Sequence, residues 1–284
     1  MTDPAPLSLT ELRRYPVKSC RGQALETAVV EPWGLAGDRR WMVVDGTGEC
    51  VTAREEARLL TVTADTVATD LGLPVALRLT APGLEPLDVE EPSGPALPVS
   101  VHGRGLEGVA APDEAGAWFG NVLGRDDLRL VHVHSPRPLS PTHARRGEAT
   151  AFADAYPVTL ASAASLRRLR DWVAETALER GEAPRAPLVV ERFRPNLVVD
   201  GDLDPFEEDG WRRVRVGPVE FRVVKPVDRC VLTTIEPSTL ERGHEPIRTL
   251  AKHRKWDGAT WFAVQLVPES RGVVRVGDEV MPDR

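Results

Sequence analysis

A mainly β protein with a few helices, of the α+β class, is what the sequence predicts, and three observations predict it. Short apolar runs broken by Gly, Pro and Asp turn signals fill the first hundred positions. Only the stretch 162–182 carries a long apolar stripe at helical spacing. Strand-like runs return beyond position 196 and close the chain.

Taken in order, residues 7–15, 24–30, 41–44 and 51–53 read as strands, with Asp45-Gly46-Thr47-Gly48 turning a hairpin between the last two. Positions 59–67 and 74–80 continue an antiparallel meander or barrel. An acidic start and the apolar residues Trp118, Phe119, Val122 and Leu123 predict a short helix over 113–123, followed by a strand over 128–133. The segment 134–149, rich in Pro, Arg and Ser, reads as a mobile loop or lid. Leu166, Leu169, Trp172, Val173 and Ala177 share one face of the 162–182 helix, with Ser162 or Ser165 as N-cap. Its unpaired N–H groups make its start a potential anion site. Strands over 196–199, 214–216, 219–224, 262–267 and 273–276 and a short helix around Thr249 complete the reading.

At 284 residues the chain exceeds the ~100–200 of a usual domain, which points to two joined parts. We expect them at 1–125 and 126–284. A composition 42% hydrophobic and 28% charged supports a packed core. The net charge of −7 argues against broad nucleic-acid binding, which needs clustered cations. Neither a signal-peptide pattern nor a run of about 18 apolar residues is present, so a cytoplasmic protein with no membrane partner is expected.

Cys20, Cys50 and Cys230 lie far apart and form no CxxC pair, so neither a zinc ribbon nor a disulfide framework is indicated. Pro226 should interrupt strand pairing and leave Asp228, Arg229 and Cys230 at a strand end. Arg229 and Lys225 are the cationic neighbours that favour a thiolate, the form a metal ligand or nucleophile requires. The competing reading is a buried, inert cysteine continuing into Val231-Leu232. Arg194, Pro195 and Asn196 set a guanidinium and an amide before a strand, groups suited to a phosphate and to a pterin or purine edge; a surface turn explains the same tripeptide. Lys18 with Ser19, and Arg39, likewise follow or precede strands. His132, His134 and His143 invite a metal reading, but no further ligand completes a set at recognisable spacing. GxSxG, P-loop and HExxH patterns are absent.

The segments YPVKSC (15–20), GLAGDRRWMVVD (34–45), VTARE (51–55), FADAYPVTLASAASL (152–166), FRPNLVV (193–199), VKPVDRCVLTT (224–234), EPIRTLAKHR (245–254) and VRVGDEV (274–280) together resemble a known pair of modules. It is the N-terminal MOSC β-barrel domain followed by a MOSC domain, as in the mitochondrial amidoxime reducing component family and its bacterial relatives. The resemblance implies a β-barrel core that holds molybdenum cofactor, with Cys230 as the ligand to molybdenum. It also implies that Lys18, Ser19, Arg39, Ser162, Arg194 and Asn196 hold the cofactor, and Arg229 is assigned with them. The implied activity is reduction of amidoximes, hydroxylamines and N-hydroxylated bases by oxygen-atom transfer, with Asp228 as a candidate proton carrier. The alternative is a cofactor carrier or sulfur-transfer module that turns nothing over. Mitochondrial members carry Ser where this chain has Asp228, which shifts the local charge. The chain ends soon after VRVGDEV, without the ferredoxin-like domain of some bacterial relatives, so an external flavin-, haem- or iron–sulfur-based electron donor is expected.

Overall fold

The computed structural model describes residues 6–183 and 186–284. Its strands far outnumber its helices, as the periodicity predicts. Two compact units are present: one holds the chain up to Arg13 with Glu26–Ala36 and Pro157–Arg284, the other Arg14–Leu25 and Gly37–Tyr156.

In the second unit, Trp41–Val44, Arg129–Val133, Arg104–Ala110 and Ala96–Val101 pair antiparallel in that order. A smaller meander joins Thr63–Asp65, Leu77–Thr80 and Leu87–Val89. Helix α1, Asp113–Leu123, has the bounds its periodicity predicts and stops at Gly124, whose left-handed φ of 70° closes the C-cap. A side chain at Gly116 would run into the Leu128 carbonyl, so glycine is what lets α1 approach the chain this closely.

Three expectations change in this unit. Positions 51–53 are not a strand: Val51 N still donates to Val43 O at 2.9 Å, but the chain then turns over 53–55, where the Thr52 N–H and hydroxyl both donate to the Glu55 carboxylate at 3.3 and 3.2 Å; this local bonding competes with a strand ladder. Ala57–Thr61 is a 3-10 turn that buries Leu59 and Leu60, so the strand expected from 59 starts only at Thr63. The 134–149 segment is closed at its base, where Arg137–Pro138 pairs with Ala149–Thr150, and the buried Arg137 donates to the Ala153 and Asp154 carbonyls at 2.7 and 3.0 Å.

In the first unit one sheet runs Ser8–Arg14, Leu197–Asp200, Val158–Ser162, Ala259–Pro268, Val219–Asp228, Arg213–Val216, Val280–Asp283. The ladder of named strands stops at Val280–Asp283, and the stretch just before that strand meets the start of Ser8–Arg14 at the bridge Ser8↔Glu279, where Leu9 N donates to Asp278 O and Val280 N to Leu7 O. Val158–Ser162 and Leu197–Asp200 are parallel, and helix α2, Ala163–Glu179, is part of the crossover between them. Helix α2 buries Leu166 and Leu169 against Phe193, Val198, Leu250 and Phe262; Leu250 comes from helix α3, Ile247–His253. The stripe read from sequence is therefore the face that makes this core. No helix among the described residues is long and apolar enough to cross a membrane.

Pro226 does not end its strand. Val219–Asp228 continues through it, with Pro226 opposite Val264 and Asp228 opposite Trp261. Register shifts on both sides, between Val223 and Lys225 and between Pro226 and Asp228, explain how. A bulge leaves one residue out of the ladder, and a proline without an N–H is tolerated beside it. Ala263, next to the partner of Pro226, takes a φ of 67° on the facing strand. The chain therefore reaches Cys230 from the end of a ten-residue strand, two residues later than the proline alone predicts.

Candidate functional site

Of the three cysteines only Cys230 is exposed. Cys20 is fully buried, and burial pushes the Cys50 thiol up to about 12 despite the nearby Lys18 charge, so both lack the accessible thiolate a ligand needs. The inert, buried cysteine that the sequence left open for Cys230 is not what the fold presents.

Cys230 opens a 3-10 turn, Val231–Thr234, and its carbonyl accepts from the Thr233 N–H and hydroxyl at 3.2 and 3.0 Å. The residues before it are pinned to the neighbouring strand. Arg229 N donates to Thr260 O at 2.8 Å, the Thr260 hydroxyl donates back to Arg229 O at 3.1 Å, and Thr260 N donates to the exposed Asp228 Oδ1 at 3.3 Å. The backbone leading to the sulfur is fixed, and the Cys230 side chain is exposed.

Arg229 turns inward. Its guanidinium donates to Phe262 O at 2.8 Å and Phe193 O at 2.9 Å, and lies 6.0 Å from the Phe262 ring centroid and 5.4 Å from that of Phe193. A second guanidinium, on Arg192, donates to Thr233 O at 3.3 Å and pairs with Glu236. Arg192 and Arg229 thus tie the Phe193–Asn196 segment to the Cys230 turn, two segments more than thirty residues apart in sequence. Arg194 is half-buried and takes a left-handed φ of 51° with its N–H on Glu191 O. Lys225 places its ammonium 5.9 Å from the Trp261 ring centroid.

Asn196 and Ser162 serve from inside the fold. Fully buried Asn196 donates through Nδ2 to Arg13 O and accepts at Oδ1 from Thr159 N, both at 3.1 Å, so its amide bridges the strands on either side of Leu197. Ser162 is the N-cap of α2 as expected, accepting from Ser165 N at 3.0 Å. The anion at that helix start is the chain's own Glu208, buried, with Ser162 Oγ 3.1 Å and Ser165 Oγ 2.8 Å from its oxygens. The dipole argument holds, but an internal carboxylate meets it.

Lys18, Ser19 and Arg39 sit in the second unit, where three of the quoted motifs meet. Lys18 N donates to Trp41 O at 2.8 Å, Arg39 N to Tyr15 O at 2.7 Å, and Phe152 N to Arg39 O at 3.1 Å. Ser19 and Arg39 hold φ values of 68° and 48°. With Arg194, three of the residues assigned to cofactor binding adopt a backbone that non-glycine residues rarely take, and such strain clusters at ligand sites. Arg39 pairs with Asp38 and lies 4.4 Å from the Tyr15 ring centroid. His132, a candidate ligand by sequence, packs its ring 4.7 Å from Trp41.

Asp154, His102 and Arg54 were not singled out in the sequence. The buried Lys18 ammonium donates to Phe152 O at 2.8 Å and pairs with Asp154, whose carboxylate also meets His102 Nε2 at 3.1 Å and Arg54 at 3.8 Å. Desolvation works against a charged Asp154, but the Lys18 charge and the His102 and Lys18 hydrogen bonds outweigh it and hold the carboxyl well below the usual range. A depressed folded-state pKa adds stability that is present above the ordinary 3.8 and is lost as the pH falls below it. Asp154→Asn is therefore expected to unfold at a lower temperature than the parent at pH 7, with the gap closing in acid. Parallel melting curves against pH check this.

The sequence that builds these two units has counterparts among known proteins. Residues 7–126 match the MOSC N-terminal beta barrel domain and residues 147–281 the MOSC domain. Mitochondrial amidoxime reducing component 2 of Rattus norvegicus is 34% identical over 94% of this chain and 80% of its own length. Mitochondrial amidoxime-reducing component 1 of Mus musculus is 31% identical over 96% of this chain and 81% of its own. A molybdenum cofactor sulfurase of Anopheles gambiae is 30% identical over 91% of this chain but only 34% of its own length. The chain belongs to the MOSC family, in the two-module form shared with the mitochondrial amidoxime reducing components.

Proposed function

We propose that the chain is a molybdenum-cofactor-dependent reductase of N-hydroxylated compounds: amidoximes, hydroxylamines and N-hydroxylated bases. The observation that carries this reading is the exposed Cys230 on a turn whose backbone is pinned on both sides, in a chain whose relatives are named for amidoxime reduction. The donor chemistry fits the group. A single accessible sulfur suits a thiophilic metal that brings its other ligands on an organic carrier, and the cations of Lys18, Arg39 and Arg194 suit a phosphate.

In this reading Cys230 is the protein ligand to molybdenum. Lys18, Ser19, Arg39 and Arg194 contact the cofactor, while Ser162, Asn196 and Arg229 fix the backbone that presents it. When bound, the group supplies the two-electron chemistry that removes the oxygen of an N–OH group. Asp228 holds or releases a proton at its carboxylate, exposed two residues before Cys230 with Oδ1 accepting from Thr260 N. Electrons arrive from a separate flavin, haem or iron–sulfur protein.

The test is to load the purified protein with molybdenum cofactor, reduce it with an artificial dye and offer benzamidoxime. Benzamidine is the expected product. Protein that holds the cofactor yet forms no amine overturns the reductase reading and leaves the carrier.

A further inference from the structure

Beside the Cys230 turn, on the same unit, lies an aromatic ledge. Trp261 is the cross-strand partner of Asp228. The short strand Lys255–Trp256 folds back on Ala259 and Thr260 through Asp257 and Gly258, whose φ values of 52° and 78° are those of a two-residue type I′ turn. This hairpin sets the two indoles next to each other, with centroids 5.8 Å apart and planes inclined by 32°.

Both rings are held. Trp261 Nε1 donates to Trp256 O at 3.0 Å, which satisfies its polar edge. The Arg254 guanidinium lies 4.7 Å from the Trp256 ring centroid and 4.2 Å from that of Phe206, and pairs with Asp209. Trp256 nonetheless stays 40% exposed. An indole held in place by a locked guanidinium, yet left open to water, gives up apolar burial that the fold does not recover. Next to it stand the exposed Asp228 carboxylate, engaged by Thr260 N, and the Lys225 ammonium near the Trp261 ring.

We propose that this ledge is the substrate subsite beside the reacting centre: Trp256 and Trp261 stack the ring of an aryl N-hydroxyamidine, and Asp228 accepts from its amino N–H. The chemistry selects that class. Indole faces favour a planar ring, the carboxylate favours an N–H donor, and Lys225 beside the same ring disfavours a cation, so the ligand is the neutral amidoxime. Placing the reaction at Cys230 rests on the reductase reading; the binding surface itself does not.

The experiment titrates benzamidoxime calorimetrically into the parent, Trp256→Leu, Trp261→Leu and Asp228→Asn chains, with ring-less acetamidoxime as the control ligand. Thermal unfolding is followed in parallel, and the exposed Trp256 is the position whose change leaves the fold intact. Stacking on one aromatic face is worth about tenfold in affinity. Trp256→Leu is therefore expected to weaken benzamidoxime about tenfold and leave acetamidoxime unchanged, and Asp228→Asn to weaken both. Equal benzamidoxime affinity in parent and Trp256→Leu overturns the ledge, as does an equal loss for the two ligands. Where the loaded parent forms no amine but benzamidoxime binding still needs the tryptophans, the reductase reading fails and the subsite stands. Turnover that is indifferent to both tryptophans sinks the subsite alone.

Discussion

A Cys230→Ser chain is expected to fold as the parent does, to retain far less molybdenum and to lose dye-driven amidoxime reduction by at least about a hundredfold. The side chain is exposed, the bonds that shape the turn run through the Cys230 carbonyl and neighbouring backbone, and serine is close to cysteine in size, so those bonds are kept. Serine is also a favourable residue at the head of a helical turn. What changes is the donor: a hydroxyl is a hard oxygen that stays protonated at neutral pH, where a thiolate is soft and anionic. Loss of an outer-sphere partner alone already costs about 10–100-fold in metal affinity or activity, and a direct ligand should exceed that. Molybdenum per chain by mass spectrometry, the unfolding midpoint and the turnover rate check the three parts separately. Equal metal and equal rate in both chains would remove the thiolate from the account.

The sequence was informative where local pattern decides structure. Helix α1 follows its apolar spacing residue for residue, and Ser162 caps α2 because a seryl oxygen before an apolar stripe has an orphan N–H to accept from. It was less informative where side chains compete with the ladder, as Thr52 and Glu55 do, or where two bulges let Pro226 remain inside a strand. The final strand, Val280–Asp283, went unread because its only signal is pairing with a strand more than sixty residues earlier. The same limit shaped the reading of the site. Lys18, Arg39, Arg194 and Cys230 carried chemistry that their motifs suggest, whereas Asp154, although inside the 152–166 motif, matters through an ion pair with a residue 136 positions away that no local pattern signals. The part of Glu208 in the cap of α2 was likewise hidden. The Trp256–Trp261 hairpin did carry a local signal, Asp-Gly between flanking aromatic residues, and the fold shows that signal in use.

Glu208→Ala should destabilise the first unit by about 2–5 kcal/mol at neutral pH, from the cost of leaving the buried Ser165 hydroxyl without its acceptor and a cavity behind, while the Ser162 hydroxyl keeps Ser165 Oγ as an acceptor at 2.7 Å. The Ser165 hydroxyl approaches both carboxylate oxygens at 2.8 and 2.9 Å, Ser162 approaches one at 3.1 Å, and Ser165 Oγ in turn accepts from Phe206 N at 2.6 Å. Deleting the carboxylate therefore loosens the start of α2 and the approach of Phe206 together, and with them the stack of Phe206 on Trp172, whose centroids lie 5.2 Å apart. The pH dependence runs opposite to that of Asp154. Burial raises the Glu208 carboxyl above the usual range, with the Ser165 and Ser162 hydrogen bonds only partly opposing it. In the window between the ordinary 4.5 and the raised folded value the native state holds the extra proton, so stability falls as the pH rises through it. Glu208→Gln keeps the shape without the charge and should remove that slope. Its unfolding midpoint relative to the parent should climb as the pH rises above the ordinary 4.5 and level off once the folded carboxyl has ionised, and a gap that stays flat throughout would mean that Glu208 titrates alike in the folded and unfolded chains.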